Sequence, residues 1–227
     1  MAETASPSPS PPARAERFVW LTARVLEQRL FAYHFLGGGD TPVERALAAY
    51  RNDDGGYGHA LEPELRGPAS QPLHTAHALG VLDRIGRCDS RHIEHVCRYL
   101  TRISTRDGAL PALHPSARGY PVAPWLPVAG DPPSSARAAD TPVAPGYAPG
   151  EHHFAYDYAT APGALARGWF TDAELARSLD HLASLQRDDG GWPADAYVRA
   201  PGTAAESRPV VTLRALLTLR AHGWALD

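Results

Sequence analysis

Apolar residues recur at helical spacing along most of the chain, and nowhere is there sustained two-residue alternation. Phe18, Leu21, Val25, Leu26, Leu30 and Tyr33 predict one helix over 16–36, closed by Gly37-Gly38-Gly39. Thr41-Pro42 opens the next helix in the favoured order of cap then proline. Leu73, Ala76, Leu79, Val81 and Leu82 predict a helix over 70–86. Ile93, Val96, Cys97, Leu100 and Ile103 predict another over 89–104, with Cys97 on its apolar face. Two more are expected over 171–187, with Thr171 as cap and acids in its first turn, and over 207–223. The stretch 111–150 holds many prolines and little periodicity, and reads as a long loop. The expected class is all-α.

The pattern also repeats. Asp53-Asp54-Gly55-Gly56-Tyr57 matches Asp188-Asp189-Gly190-Gly191-Trp192, each following a helix. Each leads, about a dozen residues on, to helices of similar text, QPLHTAHALGVLDRIG and RPVVTLRALLTLRAHG. Arg106-Asp107-Gly108-Ala109-Leu110-Pro111 is a weaker third copy. A recurring helix–turn–helix unit cannot bury its apolar face alone, so neighbours must stack. The glycines suit a chain reversal at dihedrals other residues avoid, the aspartates can accept from free backbone amides, and the ring plugs the gap. The four aspartates are therefore read as structural.

These motifs resemble those of a known superfamily. Gln186 followed by Gly190-Gly191-Trp192 resembles the QW-type repeat of the α/α-toroid proteins, which include terpenoid cyclases and protein prenyltransferase β-subunits. FAYHFLGG, NDDGGYGHALEPELRGPASQP, DDGGWP and VTLRALLTLRAHG resemble short bacterial proteins labelled prenyltransferase-like. The likeness covers about 16–126 and 147–224. It implies paired helices in a ring around an apolar cavity, an α/α toroid with fewer than six pairs because the chain is short. The expected layout is a tail over 1–15 and one domain over 16–224.

The resemblance does not carry the superfamily's best-known chemistry with it. The Asp-x-Asp-Asp acid motif, the Asp-Asp-x-x-Asp magnesium motif and an Asp-x-Cys zinc pairing are all missing. By spacing, His74 with His77, or Cys88 with His92 and His95, can reach one metal ion. Neither set has an evident further ligand, so neither a metal nor a cofactor is expected.

A scaffold residue should recur with the scaffold, whereas a site is grafted onto one place. GHALEPELRG after Tyr57 has no counterpart after Trp192. His59, Glu62 and Glu64 are thus candidate proton-transfer groups, with Arg66 as a substrate contact. The structural alternative has the glutamates capping the helix or pairing with Arg66. A second cluster places Asp157 between Tyr156 and Tyr158, a carboxylate among aromatics suited to a cation or an apolar ligand. Tyr57 and Trp192 are candidate ligand-stacking rings, and Trp20, Tyr33, Phe35, Trp125 and Trp169 are further candidates for the cavity wall. The same aromatics can equally pack the core.

The leading expectation is a cyclase- or prenyltransferase-like protein that starts chemistry on an apolar, isoprenoid-like small molecule with one of these acids. The alternatives are a non-catalytic binding or scaffold module and a carbohydrate-active helical barrel with paired carboxylates. Apolar residues make up 44% and charged residues 21% of the 227, ordinary for a globular chain. A net charge of −3 gives no electrostatic footprint for nucleic acid. No apolar run is long enough to span a bilayer and none at the start resembles a signal peptide, so a cytoplasmic location is expected. Cys88 and Cys97 are placed so as not to pair. The pattern leaves oligomeric state open.

Overall fold

The computed structural model describes residues 10–88, 91–122, 126, 153–194 and 201–225. Those residues form eight α-helices and two short 3-10 turns, with isolated bridges but no strand among them. The chain divides into two compact units, one of residues 1–36 with 152–227 and one of residues 37–151.

The first unit contains α1 (Pro11–Thr22), α2 (Val25–Phe35), the single-turn α6 (Ala155–Tyr158), α7 (Asp172–Ser184) and α8 (Pro201–Ala221). Helix α1 starts at Pro11, inside the stretch expected to be tail, with proline in its first turn where no amide partner is lost. The single helix expected over 16–36 is two helices. Ala23 and Arg24 are extended, and the break is held from the α2 side. Gln28 Nε2 donates to the carbonyl oxygens of Ala23 and Trp20 at 3.1 and 3.3 Å, satisfying carbonyls at the end of α1. Arg24 grips the buried Glu27 carboxylate through both oxygens. Leu21 and Val25, expected in the core, flank this corner and are exposed.

Helices α1, α2 and α8 pack together, and α7 packs on α8. Phe18, Val19, Leu26, Leu30, Phe31, Leu179, Leu182, Leu213, Leu216 and Leu219 are buried in this unit. Arg220 lies over the Phe35 ring at 4.6 Å and donates to the His34 carbonyl. Thr171 caps α7 as expected: its hydroxyl accepts from the Glu174 amide, and the Glu174 carboxylate accepts from the Thr171 amide. Helix α8 begins at Pro201, earlier than the expected 207, and carries Pro209 within it.

The second unit contains α3 (Asp40–Ala48), α4 (Pro72–Arg84) and α5 (Arg91–Ile103). The buried stripe of α5 runs through Val96 and Tyr99, while Cys97 is exposed, so Cys97 is not core filling. The stripe turns by helical spacing of three and four, which selects 99 rather than 97 as the partner of 96. The start of the proline-rich stretch is tied down. Leu113 and Ala117 pack on Leu65, and Gln71 accepts from the His114 amide at 2.9 Å and donates to Ser116 Oγ at 2.8 Å. Most of 123–150, including Trp125, lies outside the described residues.

Candidate functional site

The two Asp-Asp-Gly-Gly corners are built alike. The amides of Asn52 and Gly55 close the first against Gly56 and Asn52 carbonyls at 3.0 and 3.1 Å. Those of Arg187 and Gly190 close the second against Gly191 and Arg187 carbonyls at 2.9 Å each. Asp54 Oδ1 accepts from the Gly56 amide at 2.9 Å, and Asp189 Oδ1 from the Gly191 amide at 3.0 Å. The Tyr57 amide donates to Thr75 Oγ1 at 3.2 Å, as the Trp192 amide does to Thr212 Oγ1 at 2.9 Å. Both rings are buried, and Trp192 Nε1 donates to the Leu182 carbonyl at 2.7 Å.

Each corner is covered by a helix, but not by the same kind of neighbour. Helix α5 covers the first, with the His95 carbonyl against Gly55 and the Tyr99 ring against Gly56. Helix α1 covers the second, with the Arg14 carbonyl against Gly190 and the Phe18 ring against Gly191. The ring follows its carbonyl by four residues in both helices. Thus α5, which is the second helix after its corner with α4 between them, and α1, which comes from the opposite end of the chain, do one job. Gln186 fastens α1 there, donating to the Pro11 and Gly190 carbonyls at 2.8 and 3.0 Å and accepting from Arg14 at 3.0 Å.

The unrepeated loop after Tyr57 departs from this frame. His59 and Ala60 are non-glycine residues with φ of 57° each, a left-handed conformation that costs a side-chain-bearing residue energy. Leu61 and Leu65 anchor the loop in the core. Between them the Glu62 amide donates to His74 Nδ1 at 3.0 Å, and Glu62 Oε1 lies 2.5 Å from His77 Nδ1. Accepting from an amide requires an unprotonated Nδ1, so the buried His74 carries its proton on Nε2. His77 is nearly buried and Glu62 about a quarter exposed, so the pair stands at the edge of the core with one side open to solvent. A carboxylate hydrogen-bonded to an imidazole nitrogen orients the ring, an arrangement suited to proton transfer.

The remaining predicted residues fall as follows. His59 is exposed, with Nε2 2.9 Å from Asn52 Oδ1. Glu64 and Arg66 are half-buried on the loop, and the Arg66 amide donates to the Pro121 carbonyl at 2.9 Å. Asp157 belongs to the other compact unit. Its Oδ2 accepts from the Phe154 amide at 2.8 Å and lies 3.9 Å from His153 Nδ1, at the first turn of α6. Tyr156 stacks with Phe154, whose ring in turn meets His181. Beside them His153, Phe154, Phe170, Arg177 and His181 line an open groove of about 390 Å³. Trp169 and Tyr158 are exposed, and Trp20 is partly so.

Sequence reading noticed His74 and His77 only as candidate metal ligands, and missed Glu62 as their shared partner. Nothing in the spacing alone shows that the loop folds back on α4. It also missed Glu27. Arg24, Gln71 and Arg208 are each followed by a glycine fifteen residues later, Gly39, Gly86 and Gly223 (24 to 39, 71 to 86, 208 to 223). In that register Glu27 matches His74, and both are buried.

No family model, curated protein or solved structure matches the chain.

Proposed function

We propose that this chain is an α/α-toroid-type protein that performs proton-transfer chemistry on a small apolar, isoprenoid-like molecule, with Glu62 and His77 as its acid–base pair. The observation that carries the chemistry is the 2.5 Å contact between Glu62 and His77, in a loop that breaks the repeat. The ring architecture is supported by α1, which supplies to the last corner what α5, two helices on, supplies to the first. The substrate class rests on the resemblance of the corners to QW-type repeats and on the aromatic content of the chain.

In this reading a proton shared between Glu62 and His77 is delivered to a carbon–carbon double bond, the carbocation so formed loses a neighbouring proton or captures water, and the pair is recharged from solvent on its open side. The test is incubation with isoprenoid alcohols and diphosphates in deuterated water, followed by mass spectrometry. Wild-type protein should yield product carrying deuterium on carbon, and Glu62→Gln or His77→Asn should reduce it by about 100-fold or more. Recovery of unchanged, unlabelled substrate across the panel overturns the proposal.

A second reading, a binding module without chemistry, is favoured by the burial of Tyr57 and Trp192 as packing rings. It expects an apolar ligand to co-purify equally with wild type and with Glu62→Gln.

A further inference from the structure

The amide of Asn52 decides which ring nitrogen of a neutral His59 carries the proton. Asn52 Nδ2 lies 2.9 Å from the Pro68 carbonyl oxygen and 2.9 Å from Ser70 Oγ. A carbonyl oxygen can only accept, so the nitrogen end of the amide must face Pro68. The Ser70 hydroxyl proton is already committed to Asp54 Oδ1 at 2.6 Å, so Ser70 accepts the second amide proton. Asn52 Oδ1 is then the atom facing His59 Nε2 at 2.9 Å. Two acceptors cannot bond, so Nε2 carries a proton. In the neutral ring the lone pair belongs to Nδ1.

We infer that Asp54, Ser70 and Asn52 form a relay that fixes His59 in its Nε2–H tautomer and presents Nδ1 as the proton acceptor of the candidate site. This rests on the proton-transfer reading above. Folding of the corner does not require such a relay. The second corner closes with the same backbone bonds, yet Arg187 stands where Asn52 does, and Asp189 is held by Arg208. What the first corner adds is a histidine whose ring is exposed while its backbone is held left-handed, followed by an alanine held the same way.

The chemistry balances simply. When a substrate O–H, N–H or activated C–H gives its proton to Nδ1, the electron pair stays on the substrate. The positive charge then resides on an imidazolium whose other N–H is already bonded to Asn52. The charge stays on the ring, and the hydrogen bonds running from Nε2–H through Asn52 and Ser70 to the Asp54 carboxylate, which Arg102 also holds at 3.4 Å, keep the ring in place as it charges. Asn52 and Ser70 are positioning residues, and His59 is the group that meets the substrate.

Long-range proton–nitrogen NMR of the histidine rings tests this directly. In wild type the His59 Nε2 signal should be pyrrole-like and Nδ1 pyridine-like. Asn52→Ala should shift both toward a mixture of tautomers. Ser70→Ala serves as the second route should Asn52→Ala fail to fold, and should also loosen the tautomer. A wild-type Nδ1–H tautomer, or an unchanged pattern in a folded Asn52→Ala or Ser70→Ala protein, overturns the relay. For the acceptor role, His59→Gln should abolish the deuterium exchange or product formation that depends on Glu62. If that activity survives in His59→Gln, the inference fails while the Glu62–His77 reading stands. If it is absent from wild type, the proton-transfer reading fails and the acceptor role falls with it.

Discussion

Arg14 and Gly190 meet backbone to backbone, although they stand near opposite ends of the chain. A Cβ on Gly190 would fall 2.1 Å from the Arg14 carbonyl oxygen, and Gly190 also sits at φ +92°. Glycine is therefore needed twice over, for its dihedral and for its lack of a side chain. Gly55 reproduces both conditions, at φ +91° and with an added Cβ falling 2.4 Å from the His95 carbonyl oxygen. Gly108, in the third copy, shares the dihedral, but a Cβ there would meet nothing within 4 Å among the described residues.

The three glycines therefore make a graded series. Gly55→Ala and Gly190→Ala should each destabilise by about 3 kcal/mol, from backbone strain plus steric displacement of a helix. Gly108→Ala should cost about 1 kcal/mol, from the dihedral alone. Urea denaturation of the three variants checks this. Equal losses would show that helix approach adds nothing to the cost.

Tyr99 and Phe18 occupy equivalent places against the second glycine of their corners, yet only tyrosine brings a hydroxyl. That hydroxyl is buried and has no hydrogen-bond partner among the described residues. Burial pushes the phenol's pKa upward, and the nearby Asp54 carboxylate pushes the same way. Tyr99→Phe should be neutral or stabilise by up to about 1 kcal/mol, because a costly unmade bond disappears. By contrast Thr212→Val, which strands the buried Trp192 amide, should cost about 1–3 kcal/mol. Thermal unfolding of both variants decides the matter, and a large loss in Tyr99→Phe would contradict this account.

Asp189 is held by two bonds of 2.8 Å from Arg208, which depress its pKa below the usual carboxylate range against a smaller opposing effect of burial. A carboxyl depressed on folding lends stability that is complete above its unfolded pKa, near 3.9, and lost as pH falls through the lower folded value. In Arg208→Gln, Asp189 should titrate closer to its ordinary value, and the loss of stability on acidification below about pH 4 should become shallower. Carboxyl carbon NMR titration reads the first effect, and acid unfolding the second. An Asp189 titration unmoved by the substitution would show that Arg208 is not the cause.

Much of the frame was legible because it is written in local text. Asp-Asp-Gly-Gly fixes its own turn through bonds spanning two to four residues, and Thr171 with Glu174 announces the start of α7. What escaped reading was non-local or unmarked. The break at Ala23–Arg24 contains neither glycine nor proline, and depends on Gln28 reaching back to cap α1. The role of α1 at the second corner depends on contacts across most of the chain, which no window of sequence displays. The candidate site divides the same way: the loop that departs from the repeat could be singled out, but its fold onto His74 and His77 could not.

The third copy closes its backbone as the other two do, with the Thr105 and Gly108 amides each 2.9 Å from the carbonyls of Ala109 and Thr105. Leu110 stands where Tyr57 and Trp192 stand, yet it is half exposed, and no helix carbonyl among the described residues rests on the glycine. Residues 106–110 are thus a natural splice point, where extra helical hairpins can be grafted onto the chain without evicting any described helix from the glycine.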